Sequence, residues 1–221
     1  MSDSLWNNVD QYLAEKLLTP DAVLSQVVTR NAAAGLPAID VSPLQGKFLH
    51  LLAKIQDARR ILELGTLGGY STIWLAKALP ADGKLITLEL EEKHARVARE
   101  NLSAASVSER VEIRTGPALD SLARLQAERG EPFDFVFIDA DKINTAAYFE
   151  QSLKLCRPGS VIVADNVVRK GLLCDATSQD ANVQGMRRFM DAVAKHPEVD
   201  ATTIQTVGVK GYDGFTLIRV S

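Results

Sequence analysis

The spacing of apolar positions changes character near residue 60. Before that point it is helical: Leu5, Val9, Tyr12, Leu13 and Leu17 fall on one face of a first helix. A second helix opens at Thr19-Pro20-Asp21, with Thr19 as its cap and Pro20 at the first helical position, and stops near Gly35. Ser42-Pro43 repeats that start signal before GKFLHLLAKI, which predicts a third helix ending before Asp57.

Beyond residue 60, short apolar runs alternate with stretches long enough to hold crossover helices. The runs are Ile61 to Leu64, Leu85 to Leu88, Val111 to Arg114, Phe133 to Ile138 and Val161 to Ala164. Such βα units imply a parallel sheet covered on both faces. Two further runs, Ala201 to Val207 and Phe215 to Val220, flank KGYDG, whose Asp213-Gly214 reads as a hairpin turn, so the last two strands are expected to be antiparallel. The pattern predicts a doubly wound, mostly parallel, seven-stranded α/β sheet with N-terminal helices. It forms one domain over residues 1–221, divided into a helical lid at 1–57 and a core at 58–221. The polar stretch DATSQDAN, residues 175 to 182, is expected to be a mobile loop.

Composition narrows the function. With 46% apolar and 24% charged residues, 221 residues can bury a substantial core, and a formal net charge of −3 leaves no broad cationic surface for phosphate backbones. The expected partner is a small molecule, not a nucleic acid. No apolar run approaches the ~20 residues of a membrane helix, and the opening MSDSLWNNVDQYLAEKLL carries acids where a signal peptide wants bases, so a cytoplasmic protein with no membrane partner is expected. Cys156 and Cys174 are too few for a disulfide framework, and His50, His94 and His196 lack zinc-ligand spacing; all five are read as structural or surface residues.

The first candidate chemistry lies in ILELGTLGGYS, a strand running into a glycine-rich turn and then a helix. Glu89, twenty positions after Gly69, ends the second strand, where an acid can accept hydrogen bonds from ribose hydroxyls. An adenosine-containing cofactor follows. Gly65-Thr66-Leu67-Gly68-Gly69 departs from the G-x-G-x-x-G of dinucleotide binders, and Glu63 just before it would repel a pyrophosphate. A cofactor with a positive centre and an amino group suits Glu63 better, and S-adenosylmethionine has both.

The second candidate is a set of carboxylates. FDFVFIDADK and SVIVADN each deliver an aspartate at the carboxyl end of an apolar run, Asp139 and Asp165. If those strands are neighbours, their ends lie about 5 Å apart. Close anions resist joint ionisation unless a cation sits between them. Asn166 adds a neutral oxygen, and an all-oxygen set suits Mg²⁺, or else Mn²⁺ or Ca²⁺, better than zinc. Lys142, three residues past Asp139 and near that dication, is expected to serve as general base, unless it is only a surface charge paired with Asp141.

These motifs together resemble the cation-dependent O-methyltransferases, the family of caffeoyl-CoA and catechol O-methyltransferases, and especially its small bacterial members. The likeness spans nearly the whole chain, through VSPLQGKFL, LELGTLGGYS, ITLEL, FDFVFIDADK, CRPGSVIVADNV and YDGFTL. It implies a Rossmann-like methyltransferase sheet and a homodimer. It also implies that Val41, Glu63, Gly65, Thr66, Ser71, Glu89, Ala118 and Asp139 bind S-adenosylmethionine, that Asp139, Asp165 and Asn166 bind the metal, and that Lys142 and Asp139 are catalytic beside a phenolic acceptor. Thr145 where the family often has tyrosine, Leu44 for a common glutamate and the KGYDG hairpin depart from the pattern and bear on the acceptor. Arg169, Lys170 and the 175 to 182 loop are expected to border the acceptor pocket. Two rivals stay open: an NAD(P)-dependent reductase, opposed by the missing fingerprint, and a catalytically idle cofactor-binding protein, opposed by Lys142 and the complete metal set.

Overall fold

The computed structural model describes residues 3–221 and begins with three helices, α1 (Asp3–Leu17), α2 (Ala22–Ala33) and α3 (Pro43–Ile55). Ser42 caps α3 as its sequence predicts, accepting the Gln45 N–H at 3.2 Å with Pro43 in the first turn. The cap of α2 is Asp21, not Thr19. Its carboxylate accepts the Val23 and Leu24 N–H groups at 3.0 and 3.2 Å and pairs with Lys77, which a threonine side chain could not do. The apolar face of α1 is left uncovered, with Leu13 37% and Leu17 68% exposed.

Among the described residues, seven strands form one sheet in the order β3-β2-β1-β4-β5-β7-β6. They are β1 (Arg60–Leu64), β2 (Lys84–Glu89), β3 (Val111–Thr115), β4 (Phe133–Ile138), β5 (Cys156–Asp165), β6 (Val199–Gly208) and β7 (Gly211–Val220). The first five are parallel, and β7 runs antiparallel to both β5 and β6. The crossovers carry α4 (Tyr70–Ala76), α5 (Glu92–Ala104), α6 (Ala118–Glu128) and α7 (Thr145–Leu153), and α8 (Ala181–Lys195) precedes β6. Chain order reverses between β1 and β4, so the crevice at their carboxyl ends is the natural ligand position in such a sheet. No helix is long and apolar enough to cross a membrane among the described residues.

Alternation along each strand builds two cores. Ile61, Leu85, Phe135 and Val163 pack with α2, α3 and α4 through Val27, Leu49, Ile73 and Leu75. On the opposite face Leu62, Ile86, Val136 and Ile162 pack with α6, α7 and α8 through Leu122, Phe149 and Phe189. Glu63, between Leu62 and Leu64, therefore points into the first layer. Register levels the strand ends: Leu64 pairs with Leu88 and Ile138, and Ile138 with Ala164.

Three local readings change. β5 starts five residues before its apolar run, through a register irregularity opposite Phe133 to Phe135. Gly159 at φ +90 makes the kink, and Ser160 Oγ bridges it by donating to the Phe133 carbonyl at 2.7 Å. The final hairpin turns at Val209-Lys210, where Gly208 pairs with Gly211, and not at Asp213-Gly214. Asp213 is instead a backbone receptor inside β7: its carboxylate accepts the Val168, Arg169 and Gly214 N–H groups at 2.9, 3.0 and 3.0 Å. In the 175 to 182 stretch, Asp175 accepts the Thr177 N–H, Asp180 caps α8, and Ala181 and Asn182 already belong to that helix.

Phe149 is fully buried and meets Phe189 edge-on with ring centroids 5.7 Å apart, joining α7 to α8. Phe149→Ala should lower the unfolding free energy by about 3–5 kcal/mol in a chemical denaturation titration.

Candidate active site

The glycine turn owes its shape to contacts that exclude side chains. Gly65 sits at φ +96, and a Cβ there would fall 2.2 Å from the Asp139 carbonyl oxygen, so glycine lets β1 and β4 close up at their ends. Across the turn, one Glu89 oxygen accepts the Thr66 and Leu67 N–H groups at 3.2 and 2.8 Å and the other accepts the Glu91 N–H at 2.9 Å. The acid at the end of β2 is thus fixed by backbone donors, with His94 Nδ1 3.4 Å away.

Glu63 lies beneath the turn with 0% exposure. Its carboxylate accepts hydroxyl protons from Ser71, Thr72 and Thr87 at 2.7, 2.5 and 2.7 Å. Burial pushes this carboxyl up to about 7 despite the three donors, which favour its charged form, and the charge of Asp139 adds to the rise.

At the ends of β4 and β5, the Ile138–Ala164 pairing sets Asp139 and Asp165 side by side. Lys142 Nζ reaches Asp139 Oδ1 at 2.7 Å, and the pair with Asp141 does not form. Asp141 is engaged by the Tyr148 hydroxyl and by Asn144 Nδ2 at 2.8 Å. Asp165 is 6% exposed; Oδ1 accepts the Asn166 N–H at 2.8 Å and Oδ2 accepts Gln45 Nε2 at 2.6 Å. Asn166 itself adopts φ +56, a left-handed turn directly after the strand. Burial, and then the charge of Asp139, push the Asp165 carboxyl up to about 7, while Lys142, the Asn166 N–H and Gln45 pull it down. One lysine does not balance two adjacent carboxylates. Among the described residues no trio of His, Cys, Asp and Glu converges as a metal site, so a cation here would rest on two carboxylates and the Asn166 amide oxygen, a donor set that fits a hard ion and not zinc.

A cavity of about 570 Å³ opens over these groups, within the range of cofactor sites. Val41, Gly65, Thr66, Ser71, Glu89, Ala118, Asp139, Lys142 and Asn166 all line it. Glu63 stands behind Ser71, and Asp165 stands behind its wall, held by Gln45. A second cavity of about 220 Å³ is lined by Leu44, Gln45, Phe48, Phe215 and the hairpin tip. Arg169, Lys170 and residues 175 to 182 line neither cavity. Neither Gln45 nor Tyr148 stands out in the sequence, and His94, read there as structural or surface, lines the cavity over the glycine turn together with Tyr148. Tyr148 stands in the first turn of α7, seven residues after Asp141, so its partner is local; Gln45 carries no comparable signal, because its partner lies 120 positions away.

The Glu63 shift has a definite sign in the ligand-free protein. A carboxyl raised in the folded state stabilises the fold fully below its unfolded value of about 4.5 and loses that contribution as pH rises through about 7. Stability should therefore fall more steeply between pH 5 and 7.5 in the native protein than in Glu63→Gln, measured by thermal denaturation across that range; parallel profiles would refute the assignment.

This geometry has close counterparts. A model of the O-methyltransferase family matches residues 15–220. A catechol O-methyltransferase from Niastella koreensis is 51% identical over 220 residues, covering 100% of each chain. The crystal structure of an O-methyltransferase from Bacillus cereus in complex with SAH superposes with a TM-score of 0.98 at 58% identity, over 100% of both chains. TomG of Streptomyces achromogenes, an O-methyltransferase of tomaymycin synthesis solved with SAM, gives 0.97 at 50% identity, over 100% of this chain and 99% of that one. With its glycine turn, Glu89 and paired strand-end aspartates in the arrangement described, the chain belongs to the O-methyltransferase family.

Proposed function

We propose that the cavity over the glycine turn holds S-adenosylmethionine and that its methyl group passes to a hydroxyl of a catechol-like or phenylpropanoid small molecule, beside a divalent cation held by Asp139, Asp165 and Asn166. The observation that carries this reading is that Asp139, Asn166 and Lys142 line the cavity walled by the glycine turn and Glu89, with Asp165 beside Asp139 just behind that wall. Family membership removes the reductase alternative.

Each residue has a part that follows from its place. Glu89, its carboxylate already oriented by three backbone donors, has one lone pair left, on the oxygen that accepts the Glu91 N–H, for a ribose hydroxyl. Ser71, backed by Glu63, and the turn at Gly65 and Thr66 face the amino-acid end of the cofactor, Val41 closes over it, and Ala118 lines the adenine side. S-adenosylmethionine supplies a sulfonium-bound methyl group for in-line displacement. A phenol titrates at about 10, so the acceptor must be activated at neutral pH. Bound to Asp139, Asp165 and Asn166, the cation, Mg²⁺ or alternatively Mn²⁺ or Ca²⁺, would supply that acidification and help orient the acceptor. With a cation on Asp139, Lys142 Nζ would be freed from that ion pair and, after losing its own proton to solvent, would take up the hydroxyl proton, while the two aspartates would keep the site from accumulating positive charge against the sulfonium.

The uncovered face of α1, with Leu5, Val9, Tyr12 and Leu17, and the exposed edge strand β6, with Ile204 and Val207, support a homodimer in which a second copy covers them.

The reading is tested by methyl transfer from S-adenosylmethionine to a panel of catechols, hydroxycinnamoyl-CoA esters and flavonoids with Mg²⁺, with Mn²⁺ and with a chelator. Turnover should be abolished by the chelator. Asp165→Ala should cut metal-dependent turnover by roughly a thousandfold, several kcal/mol of transition-state stabilisation, with cofactor affinity nearly intact. Chelator-insensitive activity in that variant would sink the cation mechanism.

A further inference from the structure

Asp165 is held by one side chain from outside the sheet. Its Oδ1 accepts the N–H of the adjacent residue, Asn166, at 2.8 Å, a bond supplied by the left-handed turn that follows β5. Its Oδ2 accepts Gln45 Nε2 at 2.6 Å. Gln45 stands in the first turn of α3, where its backbone N–H is fixed by the Ser42 cap at 3.2 Å, so the amide arm starts from a rigid point. Ser42 in turn follows Val41 directly, and Val41 lines the cavity over the glycine turn.

The chemistry of this contact is specific to an amide. An apolar side chain would leave a buried carboxylate oxygen without a donor and the Asp165 carboxylate free to rotate. A lysine or arginine would neutralise it and repel a cation. A neutral N–H donor does neither: it fixes the plane of the carboxylate, occupies one lone pair of Oδ2 and leaves the negative charge in place. Outer partners of this kind orient the groups that hold a metal, and losing one typically weakens metal binding.

We infer that Gln45 is a positioning residue for the cation, orienting Asp165 from α3 while Asp139 and Asn166 are positioned by the sheet. This rests on the cation reading above, and it assigns a function to a residue of the N-terminal helical segment that lies between the cation site and the smaller cavity.

The test uses full-length protein stripped of metal, with Mn²⁺ alone as the probe followed by electron paramagnetic resonance, and S-adenosylhomocysteine affinity followed by calorimetry. Gln45→Met keeps the length of the side chain without the donor, and Gln45→Ala removes it; the backbone cap at Ser42 survives both. In each variant the Mn²⁺ Kd should rise by about 10- to 100-fold, with S-adenosylhomocysteine affinity unchanged and the Mn²⁺ concentration for half-maximal turnover raised by the same factor. Native Mn²⁺ affinity in both variants overturns the inference alone, as does a parallel loss of both affinities, which marks a merely structural role. Failure of the native protein to bind Mn²⁺ overturns the cation reading itself.

Discussion

Parallel pairing of β4 with β5 forces two like charges together. Because Ile138 and Ala164 are in register, the next residue of each strand, Asp139 and Asp165, emerges at the same level, and neither can withdraw without breaking a central strand of the sheet. Two adjacent carboxylates, one of them buried, repel each other unless positive charge or donors meet them. The surroundings read as responses to that constraint: Lys142 folds back onto Asp139, the chain after Asp165 turns left-handed to offer its own N–H, and Gln45 reaches in from α3. The site is therefore an electrostatic problem posed by the sheet, and the chemistry proposed for it is the use of that unbalanced charge.

The glycine-turn side of the crevice obeys a related logic with the acids arranged differently. Glu89 is satisfied by backbone amides of the glycine turn, which tie the end of β2 to the loop after β1. Glu63 is satisfied only by hydroxyls and lies in the core layer between α4 and the sheet. One acid presents charge at the cavity wall, and the other gives the wall its shape. Gly65 completes the arrangement by allowing the Asp139 carbonyl to approach where any side chain would collide.

Much of this is legible in the sequence because apolar periodicity ends where the site begins. The runs at 61–64, 85–88, 133–138 and 161–164 are short and mostly apolar, broken only by Glu63, Thr87 and Asp134, and they are followed by Gly65-Thr66, Glu89, Asp139 and Asp165. Contacts between distant segments are less accessible. Nothing in SPLQG announces that Gln45 meets a residue of β5, and Thr19-Pro20 imitates a helix start that Asp21 performs better through two backbone bonds and Lys77. Amphipathic spacing in α1 indicates that a face seeks cover, but period alone does not say whether the cover lies in the same chain.

Asp213-Gly214 illustrates how the same dipeptide chemistry serves two ends. Aspartate and glycine favour turns because a short carboxylate readily takes backbone N–H groups, and here it takes those of Val168 and Arg169 on the neighbouring segment instead of closing the hairpin. The clamp fixes β7 against the chain just beyond Asn166, whereas the reversal itself lies four residues earlier at Val209 and next to the smaller cavity. Anchoring and reversal are thus assigned to separate stretches of one hairpin. A change at its tip need not move the strand ends that carry the proposed site, so the ground beside the smaller cavity can be rebuilt while the proposed reacting groups keep their places.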